Sequence, residues 1–141
     1  MSVLVTGGAG YIGSHMVLAL ADAGEDVTVL DNLSTGLRTA VDARAELVEG
    51  DIGDAELVRS TINRKNITDV VHFAGSIVVP ESVADPLKYY ANNTAKTRSL
   101  IECCVTENVP RFVFSSTAAV YGSPEQVPEN EDVHQIGRAH V

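Results

Sequence analysis

Basic side chains and long apolar runs are scarce in this sequence. Its 141 residues include 10 Lys and Arg against 19 Asp and Glu, which gives a net charge of −9. Nucleic acids and anionic membranes bind clustered Lys and Arg, so the charge balance argues against both as partners. No stretch approaches the ~18 apolar residues of a membrane-spanning helix. The first residues lack the basic segment and the unbroken apolar segment of a secretory signal peptide.

Cysteine is also scarce, and histidine forms no cluster. The two cysteines, Cys103 and Cys104, are neighbours in a stretch with a helical pattern, where adjacent side chains diverge too much for a disulfide. We expect buried thiols in a reducing cytoplasm. No group of His, Cys and Asp has the spacing of a metal site, so none is expected. We expect His15 and His72 to be packing residues rather than ligands.

Strand and helix patterns, in contrast, alternate regularly along the chain. Apolar residues make up 45% of the sequence, enough for a core, and 141 residues fit one domain. Alternating strands and helices indicate a parallel sheet covered on both faces, and the doubly wound α/β (Rossmann) fold fits best. The predicted strands are residues 2–6, 26–30, 46–49, 68–73 and 111–115, and the predicted helices are residues 11–23, a segment from the capping residue Asp54 to residue 64, and 85–108.

A glycine-rich loop follows the first strand and leads directly into a helix. Gly7, Gly10 and Gly13 are spaced G-x-x-G-x-x-G. One glycine permits a tight turn out of the strand, one lets the backbone approach a pyrophosphate, and one lets the helix pack closely on the sheet. The helix N-terminus then offers free N–H groups and a positive dipole end to phosphates. The loop in this context predicts a dinucleotide site.

An acidic residue, Asp31, ends the second predicted strand. A carboxylate there can accept hydrogen bonds from the hydroxyls of an adenosine ribose, whereas the 2′-phosphate of NADP would meet a like charge. We therefore expect NAD as the cofactor.

Three further groups follow later strands at the same edge of the sheet. Asp51 can hydrogen-bond the edge of an adenine while Ile52 packs on the ring, although Asp is common after strands and is a weaker signal here. Phe73, Ala74 and Gly75 follow the fourth strand, and the small residues there let a cofactor lie against the backbone. The hydroxyls at 115–117 either face the nicotinamide half of the site or only bind local backbone groups, and the sequence alone favours neither.

Together these motifs resemble the extended short-chain dehydrogenase/reductase family, and within it the UDP-glucose 4-epimerases. The glycine loop by itself indicates only the superfamily, whereas the whole set, in the family's order, is far more specific. The segments that carry the resemblance are residues 3–15, 30–34, 49–52, 72–75, 81–82, 89–93 and 114–122.

The resemblance implies a role for each matching residue. Thr117 matches the family's catalytic Ser/Thr, which hydrogen-bonds the 4-hydroxyl of the sugar. Tyr11 and Ile12 would contact the pyrophosphate through their backbone, and Asp51 and Ile52 would bracket the adenine. The cofactor-binding residues that it implies are Gly7, Gly10, Tyr11, Ile12, Gly13, Asp31, Asn32, Leu33, Ser34, Thr35, Gly36, Asp51, Ile52, Phe73, Ala74, Gly75, Asn92 and Ser115.

The resemblance also implies a reaction and partners. In such enzymes NAD stays bound, takes hydride from C4 of a UDP-hexose and returns it to the opposite face of the sugar. Family members pair as homodimers through helices that follow the fourth and fifth strands, of which only the first, around residues 85–108, is expected here.

The sequence departs from the family's pattern at three places. Ile77 stands where many members have a Lys that contacts the cofactor. The family's base lies in a Tyr-x-x-x-Lys motif, but Tyr121 is followed four residues later by Glu125. The last residues, 136–141, do not continue the family's pattern. We therefore expect residues 1–135 to be an incomplete NAD-binding domain, residues 136–141 to be a non-native tail, the substrate domain to be absent, and this fragment to be inactive.

Two other functions stay open beside a UDP-hexose 4-epimerase. Nucleotide-sugar 4,6-dehydratases typically place an Asp-Glu pair after the threonine, whereas this sequence has Ala118 and Ala119, which favours an epimerase. UDP-glucuronate epimerases and related enzymes also stay open. A non-catalytic NAD-binding module would suit the missing Tyr and Lys, but a damaged end of the sequence explains the same absence more simply.

Overall fold

A five-stranded parallel sheet organises residues 1–117, the part of the chain that the computed structural model describes. Its strand order is β3-β2-β1-β4-β5. The strands are β1 (Ser2–Thr6), β2 (Asp26–Asp31), β3 (Glu46–Glu49), β4 (Asp69–His72) and β5 (Arg111–Phe114). The predictions for residues 118–141, which include Ala118, Ala119, Tyr121 and the tail at 136–141, lie outside the described residues.

Helices connect the strands. The α-helices are α1 (Tyr11–Asp22), α2 (Ala55–Lys65), α3 (Val79–Ala84), α4 (Pro86–Tyr89) and α5 (Lys96–Thr106), with a 3₁₀ turn at Arg38–Ala40 and a π-helix at Tyr90–Ala95. The side chain of Asp54 caps α2 as predicted, because it accepts hydrogen bonds from the N–H groups of Glu56 and Leu57 at 3.1 and 3.0 Å.

Alternation along the buried strands builds a core on each face of the sheet. Val3 and Val5 of β1 pack with Val17 of α1 on one face. Leu4, between them, points to the other face, where it packs with residues of α2 and α5 that include Val58 and Leu100. The predicted fold, a parallel sheet covered on both sides, is therefore confirmed.

The predicted element bounds differ from the structure mainly before α5. β1 and β3 have the predicted bounds, and β4 is one residue shorter at each end. The segment predicted as one helix at 85–108 is α4, a π-helix and α5 in succession, and α3 was not predicted. Both cysteines are buried and free, as expected, and burial raises the pKa of the Cys104 thiol to about 11.

No helix among residues 1–117 combines the length and the hydropathy needed to cross a bilayer. Within the same residues, no group of three or more His, Cys, Asp or Glu side chains is arranged to hold a metal ion.

Candidate functional site

The strand order reverses between β1 and β4, and this creates a crevice beyond their carboxyl ends. Gly7, which follows β1, has φ +73°. A Cβ built on it would lie 2.6 Å from the backbone N of Ala74 and 2.8 Å from the carbonyl carbon of Phe73. The loops after the two strands are therefore in direct backbone contact, and only glycine fits at the base of the crevice.

The other glycines of the loop differ in what surrounds them. A Cβ on Gly13 would lie 2.1 Å from the carbonyl oxygen of Gly7, so α1 packs as closely as the sequence predicts. A Cβ on Gly10 would meet only that same oxygen, at 3.3 Å, which leaves the outer side of the loop open. Gly8, which was not among the predicted site residues, needs its lack of side chain because a Cβ would lie 2.7 Å from Val29. The spacing of the glycines in the sequence does not indicate that Gly8 lies close to β2.

The N-terminus of α1 faces this open side without a cap of its own. Gly10 is the N-cap and has no side chain to accept the free N–H groups. The first turn of α1 contains no acidic residue, so the positive end of the helix dipole is not neutralised. Tyr11 and Ile12, the first two helical residues, are largely exposed there. These features suit an anion such as a pyrophosphate.

The carboxylate of Asp31 connects two loops at the edge of this crevice. One oxygen accepts a hydrogen bond from the N–H of Ala9 at 2.9 Å, and the other accepts from the N–H of Leu33 at 2.8 Å. The residue is 9% exposed. Both oxygens keep a second lone pair for a further donor. The predicted contact with a ribose stays a prediction, while the structure adds that Asp31 orients the glycine loop.

The loop after β2 folds back on the glycine loop. Leu33 has φ +56°, and the side chain of Asn32 accepts a hydrogen bond from the N–H of Ser34 at 3.1 Å. A Cβ on Gly36 would lie 2.8 Å from that of Ala9. Ser34 and Thr35 are exposed at the rim. Residues 32–36 thus line one side of the crevice, where the sequence predicts the ribose.

Asp51 extends this side of the site toward β3. Its carboxylate accepts hydrogen bonds from Asn32 Nδ2 at 3.1 Å, Gly53 N at 2.8 Å and Lys96 Nζ at 2.6 Å. Partial burial acts to raise the pKa of Asp51, but these donors outweigh it and lower the pKa below its ordinary value. Ile52 is 6% exposed and belongs to the core, so little of it remains to pack on an adenine.

Two asparagines of the π-helix fix the segment after β4. Asn93 Oδ1 accepts from the N–H of Ser76 at 2.7 Å, and Asn93 Nδ2 donates to the carbonyl oxygen of Ser76 at 2.8 Å. Asn92, which was predicted to line the cofactor, donates to Ser76 Oγ at 3.0 Å. Asn93 was not predicted; its neighbour in the same sequence motif was the available signal. Gly75, beside this clamp, is exposed.

At the end of β5, Ser115 continues the ladder with β4. Its N–H donates to the carbonyl oxygen of His72 at 3.4 Å. Ser116 has φ +55°, and Thr117, the last described residue, is exposed. Ile77, which stands where many members of the resembled family have a Lys, is 88% exposed.

The two histidines differ from each other. His72 is buried as expected, hydrogen-bonded to Thr6 Oγ1 at 2.6 Å and to Thr97 Oγ1 at 2.9 Å, and burial lowers its pKa to about 4. For His15 the prediction of a packing residue was wrong, because the side chain is exposed on α1. Its ring lies 4.8 Å from that of Tyr11, beside the glycine loop.

Comparisons with known proteins agree with this geometry. A model of the NAD dependent epimerase/dehydratase family matches residues 3–138. The UDP-glucose 4-epimerase of Azospirillum brasilense is 57% identical over 134 residues, which are 95% of this chain and 38% of that protein. The crystal structure of UDP-glucose 4-epimerase from Brucella ovis in complex with NAD is 45% identical with a TM-score of 0.85, over 95% of this chain and 41% of that one.

A third similar protein is the UDP-glucose 4-epimerase from Bifidobacterium longum in complex with NAD+ and UDP. It is 37% identical with a TM-score of 0.86, over 97% of this chain and 43% of that one. This chain therefore spans about 40% of the length of the relatives it matches. Since the family model covers nearly the whole sequence, the chain belongs to the NAD dependent epimerase/dehydratase family.

Proposed function

We propose that this chain is the NAD-binding N-terminal part of a UDP-glucose/UDP-galactose 4-epimerase. The observation that carries the proposal is the crevice between β1 and β4, where Gly7 lies against the backbone of Phe73 and Ala74 beside the uncapped end of α1. The relatives with NAD in their crystal structures share the fold at 45% and 37% identity, which supports the same cofactor here.

The residues around the crevice would hold each part of a dinucleotide. The open face of Gly10 and the N–H groups of α1 would hold the pyrophosphate. The free lone pairs of Asp31 would accept hydrogen bonds from the ribose hydroxyls, and the remaining lone pair of Asp51 Oδ1 would accept a hydrogen bond from the adenine. The nicotinamide half would extend toward residues 73–75 and Ser115.

Bound NAD would supply the reversible oxidation of the hydroxyl at C4 of the hexose. Thr117, at the carboxyl end of β5, would hydrogen-bond that hydroxyl and orient it. Asn92 would line the cofactor on the opposite wall, fixed by its hydrogen bond to Ser76. These roles need the rest of the sugar site, which we place in a longer protein, because this chain spans only 38–43% of the length of its relatives.

We propose that UDP-hexose turnover and homodimer formation belong to a longer protein of which this sequence is a part. The 141-residue sequence has no Tyr followed four residues later by Lys. It therefore lacks the pair in which the Lys lowers the pKa of the Tyr so that the Tyr acts as the base. The 141-residue chain should bind NAD but should not interconvert UDP-galactose and UDP-glucose.

A calorimetric titration of the purified chain with NAD and with NADP tests the cofactor. NAD should bind far more tightly, because the 2′-phosphate of NADP would meet the carboxylate of Asp31. The matched variant Asp31→Asn removes the charge while keeping the shape of the side chain. It should reduce the difference between the dissociation constants for NAD and NADP. Similar dissociation constants for the two cofactors with the unmodified chain would refute the assignment of Asp31.

An activity assay tests the proposal that this chain does not turn over UDP-hexoses by itself. UDP-galactose is incubated with the chain and excess NAD, and the formation of UDP-glucose is followed by chromatography. No product is expected. Product formation above that of a heat-denatured control would show that the missing motif is not required.

A further inference from the structure

Lys96 is a basic side chain at the adenine end of the crevice with no role in the function described so far. It begins α5, and its ammonium group reaches the loop after β3, where Nζ lies 2.6 Å from Asp51 Oδ2. The two residues are 45 positions apart in sequence. The ion pair therefore joins a helix on one face of the sheet to the loop proposed to hold the base.

The stem of Lys96 is positioned by packing as well as by charge. A Cβ built on Gly53 would lie 3.0 Å from Lys96 Cγ and 3.4 Å from Lys96 Cδ. The methylene chain thus lies across the backbone of Gly53, the residue whose N–H donates to Asp51 Oδ1. The side chains of Lys96 and Asp51 are 35% and 33% exposed, so the pair is partly shielded from solvent.

The two oxygens of Asp51 have different partners. Oδ2 accepts from Lys96 Nζ and from Asn32 Nδ2 and is fully used. Oδ1 accepts only from Gly53 N among the hydrogen bonds that the described residues show, and one lone pair remains. An exocyclic amino group of a purine could donate to that lone pair, whereas a carbonyl oxygen in the same place would be repelled by the carboxylate.

We propose that Lys96 is a positioning residue that orients Asp51 so that Oδ1 selects a 6-aminopurine over a 6-oxopurine in the bound dinucleotide. The proposal rests on the proposed binding of NAD. Lys96 does not touch the base; it fixes the carboxylate that does. The lowered pKa of Asp51 is consistent with this, because a carboxylate that stays ionised remains an acceptor at mildly acidic pH.

The test compares NAD with nicotinamide hypoxanthine dinucleotide, which carries a carbonyl oxygen in place of the amino group. Dissociation constants of both are measured by calorimetry for the unmodified chain, Lys96→Met and Lys96→Arg. Methionine keeps the stem that packs on Gly53 but removes the charge, and arginine keeps the charge. Lys65→Met is the matched control, since it removes another ion-paired lysine, the partner of Glu46 at the start of β3.

The unmodified chain should prefer NAD by about tenfold, the ratio expected for one hydrogen bond made or left unmade. Lys96→Met should reduce that preference to about twofold, while Lys96→Arg and Lys65→Met should keep it. Raising the salt concentration should lower the preference of the unmodified chain and leave that of Lys96→Met unchanged, because salt screens partly exposed ion pairs.

The ratio of the two dissociation constants distinguishes a positioning role of Lys96 from a role in stability alone. If Lys96→Met weakens both dinucleotides equally, or keeps the full preference, the proposal is overturned. Far-UV circular dichroism identifies a variant that fails to fold; Lys96→Gln, which keeps part of the stem but carries no charge, then provides a second variant that should lose the same part of the preference. Absence of NAD binding by the folded, unmodified chain would instead overturn the proposed function, and this inference with it.

Discussion

Replacement of Gly7 by alanine would test whether the close approach of two loops, and not only backbone conformation, requires glycine at the base of the crevice. Two costs apply. Alanine at φ +73° costs roughly 1–2 kcal/mol. The new Cβ would also lie 2.6 Å from Ala74 N, about 0.9 Å inside the ~3.5 Å of ordinary contact. Such overpacking adds about 1–3 kcal/mol.

Gly24 provides a matched control. It has φ +79°, and a Cβ built on it would meet nothing within 4 Å. Gly24→Ala should therefore show the conformational cost alone, and the entropy that alanine removes from the unfolded chain is common to both variants. The difference between the two free energies of unfolding, about 1–3 kcal/mol, measures the contact between the loops.

Urea denaturation followed by far-UV circular dichroism suits this comparison, because the chain has no tryptophan. Against a total stability of ~5–15 kcal/mol, the expected difference is well within reach of the method. Gly7→Ala should also abolish NAD binding, whereas Gly24→Ala should not affect it. Equal losses of stability in the two variants would refute the claim that the loops are in contact.

Three further predictions concern groups around the site. His72 has a pKa of about 4 in the folded chain against 6.5 when unperturbed, so the unfolded chain binds more protons between these values and stability should fall by up to about 3 kcal/mol as the pH drops from 6.5 to 4. Urea denaturation across this range should show a flatter profile for His72→Gln, and identical profiles would contradict the assignment. Asn93→Ala removes both hydrogen bonds to the backbone of Ser76 and should cost about 1–3 kcal/mol, measured by the same denaturation; no loss would show the clamp to be dispensable. Cys103 and Cys104 are buried with raised pKa values, so a thiol reagent should modify them only in urea, and fast reaction without denaturant would exclude the described packing of α5.

The sequence was most informative where structure is set by neighbours along the chain. β1 is followed directly by glycines, and β3 begins and ends with a glutamate, so both have the predicted bounds. Asp54 caps α2 through atoms only two and three residues away. Local chemistry of this kind is visible in the order of residues alone.

Features that depend on contacts distant in sequence could not be predicted. Lys96 meets Asp51 across 45 residues, and Gly8 is required by a side chain of β2. The helix α3 is only six residues long, too short for a periodic pattern to stand out. His15 was expected to pack because it lies in a helix, but a place in a helix does not by itself state whether a side chain faces the sheet or solvent.

The π-helix at Tyr90–Ala95 has a consequence for how the length of this segment can vary. A π-turn accommodates about one residue more than an α-turn. The extra residue is taken up within the turn, so Asn93, which faces Ser76, and Leu100 with Cys103, which lie in the core, keep their directions on either side of it. Deletion of one residue here would convert the segment to α-turns and leave the core residues of α5 facing inward. A deletion within the regular α5 would instead rotate every side chain beyond it by about 100°.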